Sequence, residues 1–114
     1  MLNQIFLVGR ITRDLEVKEL ENGKKVATMN IAIPRSFKNE EGAYDTDFID
    51  CRVFDSIATN VKEYCRKGDI VGVKGRLQTE IEENALGEKK YIMQVMAEKV
   101  TFLSSRSSKE SEEE

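Results

Sequence analysis

The chain has 114 residues, 39% hydrophobic and 34% charged, which describes one soluble domain with no apolar run long enough to span a membrane and no signal peptide. A formal charge of -3 argues at first against a polyanionic partner, and the absence of histidine disfavours metallohydrolase and most acid–base chemistry. Cys51 and Cys65 lack metal-ligand spacing, so they read as small core residues in a reducing, cytoplasmic compartment, with no metal and no cofactor implied.

Taken in order, Asn3 to Ile11 reads as a strand whose alternation breaks near Gly9, with a second short run at Leu15 to Lys18. Glycine with more strand beyond it predicts a bulge or bend that lets one strand serve both halves of a small barrel. Asn22-Gly23 is the strongest turn signal and closes a hairpin onto Lys25 to Ile33. Ala27, Met29, Ile31 and Ile33 form the core row of that strand, and Pro34, which cannot donate to a ladder, is expected to end it. Residues 35–46 are polar apart from Phe37 and Tyr44 and read as a loop or hairpin. With Arg35 and Lys38 this element could fold over a bound strand, or it could tuck against the sheet as a satellite cluster.

Asp47 to Phe54 is the strand around which the rest is organised. Ile49, Cys51 and Val53 point to one side as core; Phe48, Asp50, Arg52 and Phe54 point to the other. Two rings flanking an arginine and a carboxylate do not make an ordinary solvated face. At i and i+6 the rings stand roughly 20 Å apart, a spacing that suits stacking of separated flat groups such as bases. The alternative is that a hairpin or a subunit partner covers both rings.

Asp55 or Ser56 can cap a helix running to about Arg66, with Ile57, Ala58, Val61, Tyr64 and Cys65 as its apolar stripe and Gly68 as its stop. Ile70 to Leu77 is a strand softened by Gly72 and Gly75, where a curled sheet or close partner leaves no room for a side chain. The chain returns as Tyr91 to Glu98. Tyr91, Met93, Val95 and Ala97 form its core row, while Ile92, Gln94 and Met96 face away and imply a subunit interface. Residues 104–114 contain no apolar side chain and are expected to form a disordered acidic tail after a domain spanning 1–103. Because Arg106 and Lys109 there are outnumbered by Glu110, Glu112, Glu113 and Glu114, the body is left near neutrality. It can still bind phosphates if its basic residues gather on one face.

Five bent strands interrupted by one helix between the third and fourth describe an all-β OB-fold, a five-stranded Greek-key barrel. Over residues 1–103 the sequence also resembles the bacterial and phage single-stranded DNA-binding proteins. The resemblance is carried by Asn3 to Asp14, Asn22-Gly23 with Val26-Ala27, Asp47 to Val53, Tyr64 to Asp69 and Gly75 to Thr79, in that order. It implies a homotetramer that binds single-stranded DNA without strong sequence preference in replication, repair and recombination, with no cofactor and no catalysis. It further implies that Phe37, Phe48 and Phe54 stack bases. Arg10, Arg52, Lys74 and Arg76, on strands expected to line the binding face, and Arg35 beside Phe37 are the candidates for phosphate contacts.

The chain departs from that family in three respects. A fourth stacking aromatic of some members falls near Glu82, beside Glu80 and Glu83, and every stacker here is Phe rather than Trp. Family members also recruit replication and repair proteins through an acidic C-terminal peptide with a hydrophobic tip. Here the acids occur as Glu110 and Glu112 to Glu114 without the tip, which argues against such partners and for a phage, plasmid-borne or accessory paralogue. Two competing functions are a protein-interaction module of a primosome-like assembly, on the same fold, and an enzyme. The enzyme has little support: Asp45 and Asp47 share one side of a strand, Asp50 faces the other, and no nucleophile or phosphate loop accompanies them.

Overall fold

Strand-forming alternation dominates residues 1–104, which are those the computed structural model describes. The elements are β1 (Ile5–Ile11), β2 (Lys18–Glu19), β3 (Lys25–Lys38), β4 (Tyr44–Phe54), α1 (Asp55–Tyr64), β5 (Ile70–Glu83) and β6 (Lys89–Ser104). Strands neighbour one another in the order β1-β5-β6-β4-β3-β2, and a further β1–β3 pairing closes the ring. Five long strands therefore make a closed barrel, with β2 a short ladder on β3. This is the OB-fold architecture, and its helix lies between the third and fourth of the long strands. The tail reading falls outside the described residues except for Ser104, the last residue of β6.

The barrel fills with side chains from alternate positions. Met29, Ile31, Cys51, Val53 and Val71 are fully buried, and α1 adds Ala58 and Val61 from beside β3, β4 and β6. Burial pushes the Cys51 thiol up to about 12 and, with Asp69 nearby, the Cys65 thiol up to about 11, so both stay protonated and behave as small apolar groups.

β1 serves both halves of the barrel, as expected, but without a bulge at Gly9. Its register with β5 runs unbroken from Ile5↔Gly75 to Arg10↔Ile70, and its end pairs with β3 at Arg10↔Ala32 and Ile11↔Ile31. Gly9 simply takes an inward place in the alternation. The Asn22-Gly23 turn closes the β2–β3 hairpin: Leu20 N–H donates to the Lys24 carbonyl (2.7 Å), Lys24 N–H donates to Asn22 Oδ1 (3.0 Å), and Gly23 has φ 84. Its other strand is only Lys18–Glu19, and Leu15 is buried ahead of it.

Three local expectations are corrected. Pro34 does not end β3, which continues to Lys38 with an irregularity after Pro34. Past Ala32, β4 is the only strand beside β3, and at such an edge a missing N–H is tolerated. Neither Asp55 nor Ser56 caps α1. Phe54 holds the N-cap position, and the Asp55 carboxylate instead accepts from Lys25 N–H (3.1 Å), with Asp55 itself at φ 49. Finally, the helix stops at Tyr64 because Cys65 turns extended, three residues before Gly68.

β5 and β6 are longer than the barrel wall and project from it as a two-stranded arm paired out to Glu83↔Lys89. Within the wall, at the level where β1 begins, Lys74↔Lys99 is followed by Gly75↔Ala97, so Glu98 is the extra residue of a bulge. There the backbones nearly touch: a Cβ on residue 75 would lie 2.3 Å from the Met96 carbonyl oxygen. Gly75→Ala should therefore cost about 1–3 kcal/mol of stability in a urea melt. Gly72→Ala, whose Cβ would meet nothing nearer than 3.5 Å, should be close to neutral. Equal losses at the two positions would contradict the close approach.

Candidate functional site

The outward face of β4 carries Phe48, Asp50, Arg52 and Phe54, which lie beside Ala32, Asn30, Thr28 and Val26 of β3. On the other side Arg52 is level with Met96 of β6, and Met96 with Arg76 of β5. The row Thr28, Arg52, Met96, Arg76 thus crosses four strands. A groove of about 450 Å³ takes in Thr28 and Arg52 of that row, with Phe48, Asp50 and Arg52 on one wall and Leu77, Ile92, Met93 and Gln94 of the arm on the other. A second groove of about 630 Å³, lined by Arg13, Asp14, Glu16 and Lys18, shares Thr28 and Arg52 with the first. Arg52 stands where the two meet.

The groups on this face differ in how far they are already engaged. Arg52 Nε is buried and has no hydrogen-bond partner among the described residues, and the guanidinium makes no ion pair there. Phe48 is 67% exposed, so its ring is free of other elements in the single chain. Asp50 is tied into a network: Asn30 Nδ2 donates to its Oδ1 (2.8 Å), Thr12 Oγ1 donates to Asn30 Oδ1 (2.6 Å), and Arg13 lies 3.7 Å away.

The remaining predicted residues are spread over the molecule. Phe54 is partly buried at the start of α1, and Phe37, 64% exposed, lies on the β3–β4 hairpin beyond the groove. That hairpin also carries Arg35, whose guanidinium donates to both Asp47 oxygens (2.9 and 3.1 Å) and lies 3.8 Å from Asp45. The hydrogen bond and charge of Arg35 hold the Asp47 carboxyl below the usual carboxylate range, and Asp47 in turn raises Arg35. Arg76 is loosely paired with Glu98 (3.5 Å), and Arg10 donates to the Gly68 carbonyl (2.6 Å). Lys74 is exposed, level with Phe6 and Lys99, and has no ion pair among the described residues. Of the predicted site residues, the main groove brings together Phe48 and Arg52 alone.

Sequence reasoning missed the opposite wall. Period two placed Tyr91 and Met93 in the core row with Val95 and Ala97, yet they are 70% and 67% exposed because they sit on the arm, beyond the end of the barrel. Met96, expected to face outward as free apolar surface, is buried between its lateral neighbours Arg52 and Arg76. The available signal was length: a 14-residue β5 and a 16-residue β6 exceed what a small barrel wall needs. The carboxylates considered for catalysis are engaged elsewhere, Asp45 and Asp47 with Arg35 and Asp50 with Asn30.

Residues 2–103 match the sequence profile of the "Single-strand binding protein family". Among curated proteins, the chain is 44% identical over 108 residues to a single-stranded DNA-binding protein of Halalkalibacterium halodurans, covering 95% of this chain and 64% of that protein. It is 40% identical over 114 residues to one of Staphylococcus aureus, covering all of this chain and 73% of that protein. The chain thus spans roughly two thirds of the length of these relatives. Among solved structures, a Plasmodium falciparum single-stranded DNA-binding protein in complex with single-stranded DNA superposes with a TM-score of 0.78 at 30% identity, covering 91% of this chain and 96% of that one.

The exposure of Phe48 carries a direct consequence for stability. Phe48→Ala should shift a urea melt by no more than about 0.5 kcal/mol, as surface substitutions do. Met29→Ala, at a fully buried site, should cost about 2–5 kcal/mol. A Phe48→Ala loss of the Met29 size would mean that a subunit partner covers the ring.

Proposed function

The chain belongs to the single-strand binding protein family, and on that footing we propose that it binds and coats single-stranded DNA, without strong sequence preference, during replication, repair or recombination. The observation that carries the reading is the juxtaposition of an exposed ring, Phe48, with a buried and unpartnered guanidinium nitrogen, Arg52 Nε, in one groove. Stacking on a ring tolerates any base, because every base has a π-face, and a guanidinium holds the phosphate backbone whatever the sequence. Phe48, Phe54 and Phe37 are the stacking platforms of this proposal. Arg52 and Lys74 are its best phosphate ligands, since neither is engaged in an ion pair among the described residues. Arg76 and Arg10 have weaker claims, and Arg35 must exchange Asp47 for a phosphate before it can serve.

Assembly as a homotetramer belongs to the same proposal. β1 pairs with β3 only at Arg10 and Ile11, which leaves Ile5 to Gly9 as an open edge. Phe6 and Val8 stand exposed on the outer face of that stretch. An unpaired edge beside apolar side chains is a surface that a second copy can complete. A cytoplasmic location and a binding role without catalysis complete the reading, in keeping with the family. Among the described residues no helix is long and apolar enough to cross a membrane. The acids of residues 104–114 are proposed to compete weakly for the basic groove.

Titration with single-stranded DNA at several salt concentrations tests the proposal. Phe48→Ala should cost about 1–3 kcal/mol of binding, nearly independent of salt, because no phosphate contact is given up. Arg52→Ala should weaken binding chiefly at low salt and reduce the slope of log K against log salt by roughly 0.7 for each phosphate lost. Removal of residues 104–114 should raise affinity at low salt, with the gain fading as salt rises. Absence of strand binding by the intact protein would leave the interaction-module function in its place.

A further inference from the structure

Among the candidate phosphate ligands, Arg35 is the one whose guanidinium is already enclosed by two carboxylates. Its Nε and Nη2 donate to the two oxygens of Asp47 (3.1 and 2.9 Å), and its Nη1 lies 3.8 Å from Asp45. That fork-to-fork pairing is also the geometry in which a guanidinium takes two oxygens of a phosphate. The two acids differ in what else holds them. Asp45 also accepts from Asn39 Nδ2 (3.1 Å) within the β3–β4 hairpin, whereas the Asp47 carboxylate accepts only from Arg35 among the described residues. Arg35 keeps the Asp47 carboxyl below the usual carboxylate range, so the acid is charged at neutral pH. Both side chains are half exposed, and a pair so exposed is weak enough to exchange partners.

We propose that Asp47 is a built-in stand-in for a backbone phosphate, which occupies the Arg35 fork in the free protein and is displaced when the hairpin engages a strand. The guanidinium gives up two hydrogen bonds to Asp47 and gains two to the phosphate, while the Asp47 carboxylate passes to water. The net gain is therefore small, and the arriving phosphate also meets the charges of Asp45 and Asp47. Arg52 and Lys74, which make no ion pair among the described residues, exert their full attraction from the first encounter. Arg35 adds its contact only once those groups hold the strand beside it at high local concentration. The hairpin is thus a restrained second grip. The inference rests on the strand-binding reading above and concerns how tightly a strand is held.

A double-mutant cycle of Asp47→Asn and Arg35→Ala, read by titrating the intact chain with a thymidine homopolymer, tests the exchange. Asp47→Asn should tighten binding at low salt, and should do so about 1.5- to 5-fold more with Arg35 present than in the Arg35→Ala background, the range set by an exposed ion pair. That excess should fade as salt rises. Equal gains in the two backgrounds would mean that Asp47 merely repels the strand, and they overturn the proposal. So does an Arg35→Ala change that costs nothing once Asp47→Asn is in place, because Arg35 then never reaches a phosphate. Asp47→Thr, which suits a strand, takes the place of Asp47→Asn in the cycle if that variant does not fold. Absence of binding by the unsubstituted protein overturns the strand-binding reading and the exchange with it.

Discussion

The close approach of backbones at Gly75 shapes everything the open face presents. With no Cβ at that position, the Met96 carbonyl can press against β5 beside the extra residue Glu98, and β6 runs on in the wall, paired with β4 at Met96 and Val95, to the level of Leu77. Beyond it the two strands are free to leave the barrel as an arm. The arm supplies Leu77, Ile92, Met93 and Gln94, and without it the outer face of β4 would be a flat sheet surface. Concavity is what lets a binding face surround a ligand and exclude water, so one backbone contact on β5 converts a row of side chains on β4 into a site. The same contact keeps Arg76 and Glu98 within 3.5 Å, so the bulge residue restrains a cation at the rim of the row.

A nearly neutral body with an acidic overall pI of about 5.2 is an unusual starting point for binding a polyanion. The pairing pattern resolves the difficulty. Asp45 and Asp47 are spent on Arg35, out on the hairpin, and Asp50 is partly neutralised by Arg13. Arg52 and Lys74, by contrast, make no ion pair among the described residues. What a phosphate meets is the local field within a Debye length of about 8–10 Å, and net charge summed over the whole chain says little about it.

How much of this was legible in the sequence depended on whether a feature was local. The alternation of β4 placed Cys51 and Val53 in the core and Phe48 on the open face, because in a strand the side of each residue follows from parity alone. Asn22-Gly23 marked its turn because the φ it needs is a property of the residue itself. Long-range competition was invisible. Asp55 looks like a helix cap, yet its carboxylate goes to Lys25, thirty positions earlier in the chain. Pro34 looks like a stop, yet the strand continues because β3 has become an edge by then. Tyr91 and Met93 have core parity, but parity says which side a residue faces and nothing about whether the barrel still extends that far. Arg35 read as a phosphate ligand for the same reason: Asp45 and Asp47 become its partners only when the hairpin folds them alongside.

Two unsatisfied atoms among the residues lining the groove carry a cost in the folded protein. A buried donor or acceptor without a partner costs a folded protein about 1–3 kcal/mol, and cores normally avoid it. Arg52 Nε and Gln94 Oε1 lie in the same groove, beside an exposed ring, rather than scattered through the interior, where Met29, Val53 and their neighbours are apolar. In the proposed reading, affinity on this face comes from the exposed Phe48 ring, on which any base can stack, and from cations that no carboxylate among the described residues neutralises.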